Sequence, residues 1–220
     1  RVGGEPLAGF ASAPHAVPML SLGNTYNAGE VEMFVRRVQE RLPAGENPLF
    51  VVEPKVDGVS ISVRYENGRL ARALTRGDGK VGDDVTANVR TIASVPLRLD
   101  TATPPAVFEA RGEIFMARDG FERLNARRSA AGEEPFANAR NATAGSLKLL
   151  DSRLVAQRPL EALFYGCGEV VGLELASQRQ LLATLRQFGL RAPARTWTAS
   201  DFPGLWDAIQ ELDRERGALP

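Results

Sequence analysis

Lysine is scarce in this chain: of 27 lysines and arginines, only Lys55, Lys80 and Lys148 are lysines. Both side chains carry charge, but only lysine readily gives up its proton and becomes an amine nucleophile. One of the three stands in Glu53-Pro54-Lys55-Val56-Asp57-Gly58, with a carboxylate two residues away on either side. The alternating run Val59-Ser60-Ile61-Ser62-Val63-Arg64-Tyr65 follows at once. The chemistry this pattern permits is covalent catalysis by Lys55 on a turn between two strands. At average composition a Lys-x-Asp-Gly match arises by chance in roughly one chain of this length in twenty. The plain alternative is therefore an exposed hairpin lysine, and the surrounding residues have to decide.

An ordinary lysine, with a reference pKa of ~10.4, is neutral in roughly a few molecules per ten thousand at pH 7. A nucleophilic lysine needs desolvation, a nearby cation or a base. Arg76, on the partner strand of the hairpin, is the candidate cation. Asp57 could orient the amine or accept a hydrogen bond from a ribose. Glu53 and Glu113 fall on inward-facing strand positions, where a carboxylate without a polar partner would be costly. A polar ligand or a divalent metal would supply that partner. For Glu113 the competing reading is a salt bridge with Arg111 or a neighbour. Gly58 is expected to allow close approach of a ligand or a positive φ angle. Gly77-Asp78-Gly79 lacks the P-loop pattern, so a plain hairpin connection is expected there.

Positioning these groups requires a folded scaffold, and 220 residues suffice for one large domain or two small ones. Hydrophobic residues make up 44% and charged residues 25%, as in ordinary soluble proteins. The net charge is zero, so nucleic-acid binding would have to use a local patch. Arg123, Arg127, Arg128 and Arg140 form one candidate, and a solvated helix face is its competitor. Cys167 alone excludes an internal disulfide and a cysteine zinc cluster, and His15 alone excludes a histidine metal cluster. No apolar stretch approaches the ~18 residues of a membrane span, so a cytoplasmic setting is expected.

Periodicity predicts an extended lead-in over 1–28 and an amphipathic helix over 28–42, with Val31, Phe34, Val35 and Val38 on one face. Strands are expected at 49–53, 59–66 and 70–76, the last two joined by a tight Asn67-Gly68 turn. A polar loop to residue 84, a short helix near 85–92 and a strand over 107–116 follow. Helices are expected at 118–128 and 138–150, a strand at 160–168, a helix at 177–188, a strand near 191–198 and a helix over 202–216. This is an α+β pattern with antiparallel hairpins rather than regular βαβ alternation.

Six segments occur in order: Pro18-Met19-Leu20-Ser21-Leu22, Glu53 to Gly58, Thr75-Arg76-Gly77-Asp78-Gly79, Asp84-Val85-Thr86-Ala87-Asn88-Val89-Arg90-Thr91-Ile92, Arg111-Gly112-Glu113, and Phe136-Ala137-Asn138-Ala139-Arg140-Asn141-Ala142-Thr143-Ala144-Gly145-Ser146-Leu147. Together they closely resemble the adenylation (nucleotidyltransferase) domain of bacterial NAD-dependent DNA ligases, over nearly the whole chain. The resemblance implies a nucleotidyltransferase fold, ATP-grasp-like, with antiparallel sheets flanked by helices. It implies that Lys55 attacks the α-phosphorus of NAD to form lysyl-AMP, that AMP passes to the 5′-phosphate of a DNA nick, and that the 3′-hydroxyl seals the strand. Asp57 would contact the ribose or the amine, and Glu53 the adenine edge. Ser21 and Leu22 would lie at the nucleotide, while Arg76 and Glu113 would contact its ribose and phosphate. Arg140 would face DNA or phosphate, and Lys148 would carry charge to the DNA. Glu53 and Glu113 are expected to line one nucleotide pocket. Magnesium or manganese would help at the phosphate, and the partner would be nicked double-stranded DNA, bound by a monomer.

Two positions depart from the family pattern. Gly23 stands where the family carries Asp, and Lys148 where it carries Arg, which keeps charge but loses the bidentate fork. The resemblance also implies segments outside this sequence. Before it would lie a helical module gripping nicotinamide mononucleotide. After Pro220 would come two lysine-bearing strands, then OB, zinc, helix-hairpin-helix and BRCT modules, with zinc confined to its own module. Residues 1–220 are thus expected to be a partial adenylation domain, truncated at both ends. An ATP-dependent ligase, a capping-type nucleotidyltransferase and an inactive nucleotide- or DNA-binding fragment are the alternatives.

Overall fold

The computed structural model describes residues 9–218. The expectations for residues 1–8 and for the last two positions fall outside that span. The chain divides into two compact units. One comprises the described residues through Leu20 together with Val56–Ala192, and the other comprises Ser21–Lys55 and the segment from Pro193 onward.

The first unit is built on a four-stranded antiparallel sheet, in which β3 (Val59–Glu66), β4 (Arg69–Thr75), β6 (Val107–Met116) and β7 (Leu160–Val171) run in the order β4-β3-β6-β7. Asn67 and Gly68 join β3 to β4 with φ of 46° and 76°. Two successive positive φ angles are what a two-residue type I′ hairpin turn requires, and Asn-Gly is the pair that adopts them most readily. Alternation divides the sheet. Ile61, Val63, Tyr65, Phe108, Ala110, Ile114, Ala162 and Phe164 are all buried. Phe108 meets Phe188 edge-on at 5.2 Å between ring centroids. The intervening residues carry Ser60, Ser62, Arg64, Glu109, Arg111 and Glu113, so the polar side of the sheet is a continuous array of charge and hydroxyl.

Helices α2 (Thr86–Val89), α3 (Arg118–Ala130), α4 (Ala139–Leu147), α5 (Ser152–Val155) and α6 (Gln178–Gln187) complete this unit. Asn138 caps α4 by accepting the Asn141 N–H at 2.8 Å, and Ser177 caps α6. The lead-in contains a short strand, β1 (Ser12–Pro14), paired antiparallel with β5 (Val81–Asp83). Neither strand was expected. They tie residues 11–19 onto the 76–84 loop, with Met19 N–H donating to Gly79 O at 2.8 Å and Asp84 N–H to Ala11 O at 2.7 Å.

The second unit pairs β2 (Phe50–Val52) with β8 (Trp197–Ala199) and packs α1 (Ala28–Gln39) and α7 (Phe202–Glu215) around them. Val31, Val35, Ala199 and Leu205 form its buried centre, flanked by Phe50, Val52, Phe202, Trp206 and Ile209. Asn27 caps α1, and Glu30 accepts the Tyr26 N–H at 2.8 Å, a capping arrangement that fixes the entry to the helix. The strand expected near 191–198 is reduced to Trp197–Ala199. The chain crosses from one unit to the other at Ala192 and Pro193, and a proline cannot donate to a ladder.

Candidate active site

Lys55 is the last residue of the second unit's first segment, and Val56 begins the return to the first unit. It follows β2 by three residues and precedes β3 by four, so it does lie between two strands, but on an irregular stretch joining different sheets rather than on the expected turn. Its side chain is exposed and has no hydrogen-bond or ion-pair partner among the described residues. Glu53 is half-buried, just past β2, and Ser21 and Leu22 are exposed in the same unit, Leu22 at 75%.

Asp57, Arg76, Glu113, Arg140 and Lys148 belong to the first unit. Asp57 is exposed and pairs with Arg140, Nη1 to Oδ1 at 2.8 Å. Local packing explains how they meet. Gly58 is buried, and a Cβ there would lie 2.1 Å from the Ile114 carbonyl oxygen of β6. The positive-φ reason for this glycine is therefore corrected: Gly58 is not among the residues with positive φ, and the close neighbour that excludes a Cβ is strand β6. Pressing Gly58 against β6 fixes where Asp57 emerges, and the Asn138 cap sets the first turn of α4, which carries Arg140.

Glu113 is 5% exposed. Its Oε1 accepts the Ser60 hydroxyl at 2.7 Å and the Tyr165 hydroxyl at 3.2 Å. The competing salt bridge with Arg111 is not what forms. Arg111 pairs with the buried Glu109 at 3.0 Å and donates to the carbonyls of Val17 and Pro18, which lays the lead-in over the polar side of the sheet. Glu109 also accepts the Ser62 hydroxyl at 2.8 Å. Gly168 of β7 leaves the space for it, since a Cβ there would sit 2.2 Å from Glu109 Oε1. Alternation puts Glu109, Arg111 and Glu113 on one side, but nothing in the pattern distinguishes a paired carboxylate from one held by hydroxyls.

Arg76 is exposed one residue beyond β4. Its backbone N–H donates to Ser60 O at 3.2 Å, and its carbonyl is held by His15 Nε2 at 3.1 Å. Asp78 shapes the turn that follows, accepting the N–H groups of Lys80 and Val81, both at 2.8 Å. Those bonds, Val81's foremost, hold the Asp78 carboxyl below the usual carboxylate range. Lys148 pairs with Asp83 at 2.8 Å. Burial pushes the Cys167 thiol up, with the Arg111 charge opposing, so Cys167 is a poor thiolate candidate.

The arginine set is largely engaged. Arg123 pairs with Asp119 at 2.6 Å, and Arg128 pairs with Glu133 at 2.6 Å and stacks 4.4 Å over Phe136. Arg127 has no ion-pair partner among the described residues. It lines an open cleft of about 200 Å³ with Leu124, Arg128, Glu133, Gln157 and Arg158. Arg158 was missed from the sequence, because it lies between α5 and β7, far from the cluster in the chain.

The model of the family described as the NAD-dependent DNA ligase adenylation domain matches residues 7–220. The chain belongs to that family. It is 49% identical over 220 residues to a DNA ligase of Methylacidiphilum infernorum, covering all of this chain and 32% of that protein. Against the DNA ligase of Geobacter metallireducens it is 45% identical over 222 residues, covering all of this chain and 33% of that protein. Against that of a Marinomonas species it is 46% identical over 220 residues, with the same coverage. The chain thus spans about a third of the length of the curated relatives it matches.

Proposed function

We propose that this chain carries the AMP-transfer chemistry of NAD-dependent DNA ligation and folds as a nucleotidyltransferase domain. The observation that carries the reading is Lys55, exposed between Glu53 and Asp57 in a chain of the adenylation family. The Lys55 amine attacks the α-phosphorus of NAD. A nitrogen–phosphorus bond forms, the bond to the bridging oxygen breaks, and nicotinamide mononucleotide leaves with the electron pair while the lysine proton passes to solvent. The phosphoramidate then yields AMP to the 5′-phosphate of a nick, and the 3′-hydroxyl displaces AMP.

Asp57 orients the amine or the ribose, Glu53 takes the adenine edge, and Ser21 and Leu22 lie at the nucleotide. Arg76 and Glu113 contact ribose and phosphate. Arg140, Lys148 and the Arg127–Arg158 cleft offer positive charge to nicked duplex DNA, which the protein would bind as a monomer inside the cell. Exposed pairs such as Arg140–Asp57 gain only about 0–1 kcal/mol and are readily exchanged for a phosphate. Among the described residues, no three or more acidic, histidine or cysteine side chains gather to hold a metal ion. None of these residues is therefore assigned to magnesium or manganese. No helix among the described residues is long and apolar enough to cross a membrane.

The test is to incubate the full-length protein bearing this chain with adenylate-labelled NAD or ATP. Label from NAD alone is expected on the protein, chased onto nicked DNA. Label from ATP alone would overturn the proposal.

A further inference from the structure

Asn88 lies in α2 and is fully buried, at 0% exposure. Its side-chain Nδ2 donates to Leu147 O at 2.7 Å and to Leu149 O at 2.8 Å. Both acceptors are carbonyls, so the orientation of the amide is fixed by chemistry: only its NH₂ end can face them. These two carbonyls flank Lys148, the residue that caps the C-terminus of α4. The last carbonyls of a helix have no partner within it, and one buried side chain here satisfies that of Leu147 together with that of Leu149 just past the cap. Leu147, also at 0% exposure, anchors the position from the other side.

α2 is itself held firmly. The Thr86 hydroxyl accepts the Ala73 N–H of β4 at 2.8 Å and donates to Asp84, while Val85 and Val89 are fully buried. Asp83, the ion-pair partner of Lys148, is fixed by its N–H to the Thr75 hydroxyl at 3.0 Å. Both ends of the Lys148–Asp83 pair are thus referred to the same strand, β4, one of them through Asn88. A lysine ammonium is a point charge on a flexible stem, so where its backbone aims it sets what it reaches.

We infer that Asn88 is a positioning residue for Lys148 and acts through it on the DNA step, not on the attack by Lys55. The inference rests on the proposed reading of Lys148 as a DNA contact. The alternative is a plain bolt between α2 and α4.

A double-mutant cycle in the full-length protein separates the two. Asn88→Ala should lower the rate of AMP transfer to nicked DNA on the order of tenfold, as small displacements of a positioned group do, and leave Lys55 labelling by NAD unchanged. In a Lys148→Ala background the same substitution should lower Tm as before yet leave the DNA step no slower. An equal loss in both backgrounds would overturn the inference and leave Asn88 a bolt. A Lys148→Ala variant that transfers AMP at the normal rate would overturn it differently, by removing the role of Lys148 itself. Should Asn88→Ala fail to fold, Asn88→Ser, which retains a single donor, is carried through the same cycle.

Discussion

At the residue scale, the polar side of the sheet holds two buried carboxylates in different states. Glu109 is paired with Arg111, whereas Glu113 accepts two hydroxyls. Glu113 is the carboxylate proposed above to contact the nucleotide. Glu113→Gln should keep the shape and the Ser60 bond, and should lower Lys55 labelling by NAD by about ten- to a hundredfold, as losing a charged hydrogen bond of ~1.5–3 kcal/mol would. Comparison of labelling rate with thermal melting checks it: a large fall in Tm at unchanged rate would mark Glu113 as structural only. Gly58 makes the opposite case. A Cβ placed 2.1 Å from a backbone oxygen cannot be accommodated without moving a strand. Gly58→Ala should cost about 1–3 kcal/mol, read as a lower urea midpoint, and a wild-type midpoint would contradict that account.

At the element scale, what the sequence disclosed follows how local each element's causes are. β3 and β6 were legible to the residue because alternation lies within each, and the Asn67-Gly68 turn follows β3 at once. β1 and β5 were not, since each has three residues and exists only through pairing with a partner about seventy positions away. Lys55 and Asp57 stood out through lysine scarcity and spacing. The Asp57–Arg140 pair did not, because it spans 83 positions, and neither did the two bonds of Asn88. The Asp78 turn supplies a pH test at this scale. A carboxyl depressed in the folded state stabilises above its unfolded value of about 3.9, and that contribution fades as pH falls through the folded value. Hydrogen exchange at the Lys80 and Val81 amides should therefore keep its protection above about pH 4 and lose it in stronger acid. Asp78→Asn should remove the pH dependence; protection in the native protein that is flat down to pH 2 would contradict the assignment.

At the scale of the whole chain, a net charge of zero means that the proposed DNA contacts would have to come from local cations. Of the four arginines marked in the sequence, three are ion-paired, and Arg127 instead shares its cleft with Arg158. If two to four phosphates are neutralised, log affinity for nicked duplex should fall against log salt with a slope between about −1.8 and −3.6. Replacing both Arg127 and Arg158 with Ala should flatten it by up to about 1.8. Tight binding indifferent to salt and to that pair would place the interface elsewhere.

Whether Lys55 becomes covalently joined to AMP is read directly from intact mass. Full-length protein bearing this chain, incubated with NAD, should gain ~329 Da, as covalent catalysis by a lysine nucleophile requires. Peptide mapping should place the adduct on Lys55, and Lys55→Arg should show none. An adduct that persists at full yield in Lys55→Arg, or that maps to Lys80 or Lys148, would contradict the account.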